Sequence, residues 1–297
     1  MKERRGITNY HVNPARIPVR EKRESLWEKL ISSRTFFLPF LFIILLVIVA
    51  ALAPVLTPYQ RDAIDMDSIN QSGSAAHFLG TDNLGRDLFT RLIYGARYSL
   101  LSAFAAVFIA ALTGIILGGA AGFYGGWADS AVSSFVDLFL SVPLFLVLLV
   151  ASYAFPGSIW VVPLIIGAVS WMEIARVTRA EIHSLKSSGF VQASVSMGER
   201  SVLVALKHIL PAVAGPVAVA ATIGLANAML IESALSFLGF GIQPPTPTWG
   251  NMLDHGRTFL RTAPMAAFAP GFMIFITCLC FNFIGRSLRS ALSASDD

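Results

Sequence analysis

The strongest constraint on the fold is a set of long stretches without Lys, Arg, Asp or Glu. They cover residues 35–60, 98–128, 138–172, 209–231 and 262–285. Each reaches or exceeds the roughly 20 residues that a helix needs to cross the hydrocarbon core of a bilayer. Since backbone polar groups in lipid must be satisfied within the segment, these stretches predict membrane-spanning helices. Charged residues make up only 13% of the chain, which excludes an ordinary soluble domain.

The stretch at 138–172 is too long for one crossing, and the turn-prone segment 155–158 divides it in two. The sequence therefore predicts an all-α membrane protein with six transmembrane helices. Their approximate bounds are 36–56, 98–122, 132–154, 159–178, 211–235 and 266–286.

The distribution of Lys and Arg predicts the orientation. With the amino terminus inside, the inner segments hold sixteen Lys and Arg residues and the outer segments hold six. Cytoplasmic loops carry such an excess, so we expect both the amino and the carboxyl terminus to be cytoplasmic. The predicted organisation is a basic arm at 1–35, a first helix and outer loop at 36–97, a core at 98–290 and a tail at 291–297.

The second span carries small residues at every fourth position. Such a stripe lets a neighbouring helix approach closely, and tight packing is favoured over a role in lining a pathway. Its members are Ala106, Ala110, Gly114, Gly118, Gly122 and Gly126.

The inner loop between the fourth and fifth spans predicts a displayed helix. The fourth span continues as a polar helix to Lys186, and the segment 187–189 breaks it. Residues 190–197 then form a short apolar helix that Gly198 ends. From the residues alone, this helix either inserts into the groove of a partner or lies on the membrane surface.

The same loop carries a resemblance to a known family. Gln192-Ala193-Ser194, then Gly198 after three residues and Ile209-Leu210-Pro211 after ten more, resembles the coupling loop of ABC-importer permeases. Three further stretches resemble the "C" permease subunits of dipeptide, oligopeptide and nickel importers, in the same order along residues 79 to 253. The first comprises residues 79–87 and 94–97. The second comprises 125–129 with Val136, Asp137 and Pro143. The third comprises 232–241 and 243–247 with Trp249 and Gly250.

The resemblance implies a type I ABC-importer permease fold with a coupling loop at 179–211. It also implies the partners: a homologous permease subunit in a heterodimer, two ATPase subunits and an extracytoplasmic substrate-binding protein. ATP and Mg would be bound by the ATPases, and this chain would bind no cofactor, metal or nucleic acid and catalyse nothing. The chain has no G-x-x-x-x-G-K-[ST] phosphate loop. The location implied is the bacterial cytoplasmic membrane, with multiple passes.

Two positions depart from the family pattern. Gln192 stands where an acidic residue is usual, and Ala212 where asparagine is frequent. The first departure argues against an ion pair from position 192 to the ATPase, while docking through shape and apolar contact is unaffected.

The candidate functional residues form three groups. The first, implied by the resemblance, contacts the ATPases: Phe190, Val191, Gln192, Ala193, Ser194, Met197 and Gly198. The second gates the outer mouth or contacts the binding protein: Gln243, Pro244, Pro245 and Trp249. The third group, which lines the pathway or braces the outer loop, consists of Asn227, Glu232 and Ser233. For Glu232 we favour bracing of the loop at 236–247.

Short peptides are the favoured cargo and nickel is the alternative within the family. A free-standing secondary transporter would carry ionisable residues deep in several spans and internal repeats, and neither is evident.

Overall fold

A computed structural model describes residues 26–155 and 159–296. Within these residues the regular structure is helical, apart from an isolated β-bridge between Thr81 and Asp87. The helices are α1 Leu26–Ser32, α2 Arg34–Ala51, α3 Ala53–Leu56, α4 Leu88–Tyr124, α5 Gly126–Leu140, α6 Leu144–Ala154, α7 Val161–Lys186, α8 Gly189–Ser196, α9 Ser201–Val204, α10 Leu210–Phe237, α11 Trp249–Thr258 and α12 Met265–Asp296, with a π-helical turn at Ala205–Ile209 and a 3₁₀ turn at Met66–Ser68. Most of the predicted arm at 1–35 and part of the predicted turn at 155–158 lie outside the described residues.

Five helical segments are long and apolar enough to cross a membrane: α2, α4, α7, the π turn with α10, and α12 to Ser293. They coincide with five of the six predicted spans. For the remaining span, the prediction of one continuous helix over 132–154 is wrong. Helices α5 and α6 meet there at an angle of 84°, so the number of crossings is five, or six if the bent pair counts as one.

Pro143 explains the break between α5 and α6. Proline has no backbone N–H and disfavours helical conformation in the residue before it. At the end of α5, the Ser141 hydroxyl donates to the Leu138 carbonyl oxygen (2.6 Å) and satisfies an acceptor that the helix leaves open. The sequence contained this signal, but hydropathy averaged over the window concealed it.

Helices α4 and α7 pack with their backbones in close approach. A Cβ atom placed on Gly118 would lie 2.3 Å from the Ala175 carbonyl oxygen, and one on Gly114 would lie 2.9 Å from that of Trp171. From the other side, a Cβ on Gly167 would lie 2.8 Å from the carbonyl oxygen of Ala106. The small-residue stripe therefore packs tightly against a neighbouring helix, as predicted.

The helices alternate in direction and define two ends. At one end, the Lys186 ammonium donates to the Phe123 carbonyl oxygen (2.8 Å) and thereby joins the ends of α7 and α4. At the other end, the Trp249 backbone N–H donates to the Ser99 hydroxyl oxygen (3.1 Å). We call residues 57–91, which include the first turn of α4, together with α11 the cap. The coupling loop, residues 179–211, lies at the end opposite the cap.

Candidate functional site

Helix α8 begins and ends where local sequence requires it. It starts after Ser188, whose backbone is extended (φ −71°, ψ 145°) and whose carbonyl oxygen accepts from the Gln192 N–H (3.1 Å). It ends before Gly198, which has a φ of +83°. That left-handed conformation is easy only for glycine, and it lets the Glu199 N–H return to the Ser194 carbonyl oxygen (3.2 Å). The predicted short helix and its glycine stop are confirmed.

The two sides of α8 differ in exposure. Val191 and Ser194 are buried against the rest of the protein. The opposite side is solvent-exposed, and Met197 is 80% exposed. We call the exposed set the outer face of α8; it consists of Gln192, Ala193, Val195, Ser196 and Met197.

The predicted coupling set therefore needs a correction. Val191 and Ser194 do not lie on a surface that a partner reaches, because the pitch of the helix turns them inward. Val195 was left out of the set, yet its side chain is 53% exposed. Gly198 has nothing within 4 Å of the position a Cβ would take. The side chain of Phe190 lies outside the described part of the structure.

Ion pairs hold the coupling loop to the membrane helices. The Arg179 guanidinium forms a two-pronged contact with the Asp129 carboxylate at the start of α5, with Nη2 to Oδ2 at 2.8 Å. Arg176 contacts Asp137 one turn further into the membrane helices (2.5 Å). The partner of Asp137 on α7 was not foreseen because 39 residues separate the two. These contacts fix α7, and α8 follows directly from it.

A second set of ion pairs lies within the coupling loop. The Glu199 carboxylate is 3.6 Å from the Lys207 ammonium and 3.4 Å from His208 Nε2. These contacts close the segment between α8 and α10. A groove of about 550 Å³ lies beneath α8, lined in part by Val191, Val204 and Ile209.

At the opposite end, charged groups are buried in the cap. Arg91 is 2% exposed, and its guanidinium lies 3.7 Å from the carboxylates of both Asp62 and Asp82. Asp82 also accepts from Arg86 Nε (2.7 Å). Burial lowers the pKa of the neighbouring His255, and the Arg86 and Arg91 charges favour its neutral form as well. This network was not predicted, because its members are scattered along a polar loop that sequence periodicity does not organise.

The predicted outer-contact residues divide into exposed and buried members. Gln243, Pro244 and Pro245 are exposed, as a contact with a binding protein requires. Trp249 is completely buried, and its indole N–H donates to the Leu92 carbonyl oxygen (3.0 Å). The prediction that Trp249 contacts a partner directly is therefore wrong for this structure. It anchors the start of α11 because an apolar ring of that size gains most by leaving water.

The third predicted group also separates. Glu232 is fully buried and accepts from the Ser236 hydroxyl (2.8 Å) and the Ser99 hydroxyl (3.2 Å). Since Ser99 in turn accepts from the Trp249 N–H (3.1 Å), Glu232 connects α4, α10 and α11. That is the geometry a bracing role needs. Ser233 is buried as well, whereas Asn227 is exposed.

Asn227 lies beside a residue that the sequence analysis missed. Asn227 lines a cavity of about 320 Å³ together with Glu173 of α7 and Ser170. Glu173 directly follows the charge-free stretch 138–172. The predicted fourth span, 159–178, includes Glu173, but the residue was not singled out because it lies just past the charge-free stretch.

Among the described residues, no group of three or more His, Cys, Asp or Glu is placed to hold a metal ion. What the structure offers is an exposed apolar helix at one end, a closed polar cap at the other, and a cavity between them.

Comparison with known protein families covers most of the chain. Residues 110–294 match the family described as the binding-protein-dependent transport system inner membrane component. Residues 24–73 match the N-terminal transmembrane domain of oligopeptide transport permease C.

Three curated relatives are similar over most of their length. The dipeptide transport system permease protein DppC of Alkalihalophilus pseudofirmus is 38% identical over 83% of this chain and 81% of its own. The oligopeptide transport system permease protein OppC of Haemophilus influenzae is 34% identical over 92% and 89%. The glutathione transport system permease protein GsiD of Pectobacterium atrosepticum is 34% identical over 92% and 91%.

A solved structure shares the fold. A chain of the MetNI methionine ABC transporter, in inward-facing conformations, superimposes with a TM-score of 0.52 at 21% identity and covers 69% of this chain and 97% of its own. The helical membrane architecture is therefore that of an ABC-importer permease. The chain belongs to the family of inner-membrane permease components of binding-protein-dependent transport systems.

Proposed function

We propose that this chain is one of two homologous permease subunits in an ATP-driven importer of short peptides. It forms half of the translocation pathway and catalyses no reaction. ATP and Mg bind to two separate ATPase subunits, and an extracytoplasmic binding protein delivers the cargo. The assembly lies in the bacterial cytoplasmic membrane, where this chain makes six crossings, with the bent pair α5–α6 as one of them.

The outer face of α8 is the observation that carries the coupling role. Val195 and Met197 present apolar surface to solvent on a short helix whose inner side is fixed. Exposed apolar residues of this kind mark a protein contact, and an ATPase groove fits a single short helix. Because the helix connects through α7 to the membrane domain, a push on α8 reaches the pathway.

The charge distribution supports a cytoplasmic position for α8. Sixteen Lys or Arg residues lie in the predicted inner segments and six in the outer ones. Among the described residues, carboxylates pair with Arg176, Arg179 and Lys207 of the inner group, and with Arg61, Arg86, Arg91 and Arg257 of the outer group. The basic excess that remains available to anionic lipid therefore lies at the end that carries α8. Both termini then lie in the cytoplasm.

The relatives' names favour peptide as cargo, since they specify dipeptides, oligopeptides and glutathione. No feature of the described residues favours nickel. The absence of a described metal-binding group does not by itself decide the cargo, because a binding protein performs the selection.

Reconstitution tests this function. The chain would be placed in proteoliposomes with its homologous permease, the two ATPases and the binding protein, and uptake of a labelled tripeptide measured. We expect uptake only with ATP and binding protein, and none with an ATPase that cannot hydrolyse ATP. Uptake that persists without the ATPases would overturn the importer assignment. Uptake of Ni²⁺ but not of peptide would overturn only the cargo.

A further inference from the structure

The cavity that holds Glu173 lies between α4, α7, α10 and the break of α5–α6. Leu140 and Leu144, at the two ends of the break, contribute to its wall. Most of the lining is apolar. Among the described residues that line it, Ser170 and Asn227 are polar and Glu173 is the one charged side chain.

Glu173 lies deep in the membrane domain. It is 12 residues after Val161, the first residue of α7, which places it about 18 Å along the helix at a rise of 1.5 Å per residue. The hydrocarbon core is about 30 Å thick. With Val161 taken as the outer edge of the core, Glu173 falls in the inner half of the bilayer, one turn before the Arg176–Asp137 pair.

The carboxylate of Glu173 is exposed and has no partner within the described chain. No described residue forms a hydrogen bond or an ion pair with it. Arg176 is nearby on the same helix, but it contacts Asp137 (2.5 Å). An ionisable group placed in lipid costs about 3 kcal/mol on insertion scales, and such residues face a bundle interior or a water-filled path.

The broken helix points to the same place. A span interrupted in mid-membrane leaves irregular backbone, which is tolerated where it is buried in protein or lines a water-filled cavity. In transporters, discontinuous helices frequently form the substrate site. Residues 141–143 separate the two halves, and both flanking leucines reach the cavity that contains Glu173.

We propose that Glu173 lines the translocation pathway and attracts the ammonium group of a peptide's free amino terminus as the cargo passes. The inference rests on the proposed function. A single carboxylate beside an amide and a hydroxyl suits a monovalent organic cation, because the carboxylate balances the charge of an ammonium group and the neighbouring oxygens can accept from its remaining N–H groups. The apolar remainder of the wall tolerates varied side chains, since it makes no directional contacts with them.

Transport of paired cargoes tests the proposal. Uptake of trialanine and of N-acetyl-trialanine would be measured with the reconstituted complete transporter, at saturating binding protein, for wild type and Glu173→Gln. Since a hydrogen bond to a charged group contributes about 1.5–3 kcal/mol, we expect uptake of trialanine to fall about tenfold. Uptake of the acetylated peptide should change less than about twofold. Comparing variant with wild type for each peptide removes the binding protein's own preference.

Glu181→Gln is the matched control. Glu181 lies on the same helix but lines a different cavity, beside Arg289. Because Glu181 lies in the predicted coupling loop and not in the Glu173 cavity, any effect of this variant should be the same for both cargoes. Equal effects of Glu173→Gln on both peptides, no effect on either, or dissociation of the permease heterodimer would overturn the proposal.

A second measurement does not depend on the cargo. Glu173→Cys would be treated with a charged, membrane-impermeant thiol reagent in lipid nanodiscs, where Cys278 and Cys280 are buried. We expect modification at position 173 and protection by trialanine with binding protein. Absence of modification, with Asp67→Cys on an exposed loop modified as a positive control, would overturn the pathway position. If wild type carried no peptide, the cargo assignment would fail, while modification would still report whether Glu173 faces water.

Discussion

The cap and the outer face of α8 lie at opposite ends of the same helices and expose opposite kinds of side chain. In the cap, charged groups such as Arg91 and Asp82 are buried and paired, and Trp249 is completely enclosed. On α8, Met197 and Val195 are left in solvent. The cap pairs its buried charges within the chain, whereas α8 presents apolar surface that a partner has to cover.

The difference separates stability from coupling. Substitutions of the buried, paired residues of the cap should change the free energy of unfolding, because their partners lie in this chain. Substitutions on the outer face of α8 should leave that free energy unchanged and alter transport. We order four predictions by the expected change in the free energy of unfolding, from the largest to the smallest.

Trp249→Ala should have the largest effect. It removes a fully buried ring and opens a cavity between α4 and α11, which costs about 3–5 kcal/mol. Titration with a denaturing detergent would measure the loss. Trp249→Phe retains most of the apolar volume and should cost less than half as much. Equal stability of the alanine variant and wild type would contradict the anchoring role.

Asp82→Asn should come next. It leaves Arg86 and Arg91 without the carboxylate they share, and breaking a buried pair costs about 3–5 kcal/mol. The asparagine oxygen still accepts from the backbone N–H groups that Asp82 binds, so we expect a loss of about 2–3 kcal/mol in the same titration.

Asp67→Asn is the control for Asp82→Asn. Asp67 is an exposed residue of the same loop, and its substitution should stay within about 0.5 kcal/mol of wild type. If both variants lost the same amount, the buried network would not be what holds the cap.

Gly198→Ala should have a smaller effect of a different kind. The backbone there has a φ of +83°, and a side chain in that region costs about 1–2 kcal/mol, although the space around it is open. The strain falls on the residue that ends α8. We therefore expect a larger relative loss in the rate of peptide uptake than in the free energy of unfolding.

Gly189→Ala provides a comparison within the same helix. Gly189 is helical, has no positive φ, and also has open space around it. Alanine favours a helix over glycine by about 1 kcal/mol, so this variant should retain wild-type uptake. Loss of uptake in both variants would show that any added methyl interferes, and would contradict the argument from strain.

Met197→Asp should have the smallest effect on folding. Its side chain is in solvent, so the unfolding free energy should change by no more than about 0.5 kcal/mol. ATP hydrolysis stimulated by the binding protein should fall by at least tenfold, because a charge enters an apolar contact. Gln243→Asp, on the exposed loop at the other end, should leave basal ATP hydrolysis unaltered. Stimulated hydrolysis that survived Met197→Asp would contradict docking at this face.

The sequence predicted features that depend on local composition. Long apolar stretches located five spans, the four-residue spacing of Gly114 and Gly118 predicted a close helix contact, and Gly198 predicted the stop of α8. In each, the determining residues are neighbours along the chain or along one helix, so spacing alone carries the information.

Features that depend on distant residues were missed or only partly predicted. The bend at Pro143 was hidden because both halves are equally apolar. The inward position of Val191 depends on where α7 directs α8, and the burial of Trp249 depends on Ser99 and Leu92 in another helix. Glu173 lies inside the predicted fourth span, but it was not singled out because the cavity that it lines is formed largely by residues of other helices.

Site-specific photo-crosslinking tests the division between the two ends most directly. A photoreactive amino acid would be placed at Met197 in one variant and at Gln243 in another, within the complete transporter in membranes. We expect position 197 to cross-link to an ATPase subunit and position 243 to the binding protein. Cross-links from position 197 to lipid alone, or to the binding protein, would contradict the assignment of α8 as the helix that couples ATP hydrolysis to transport.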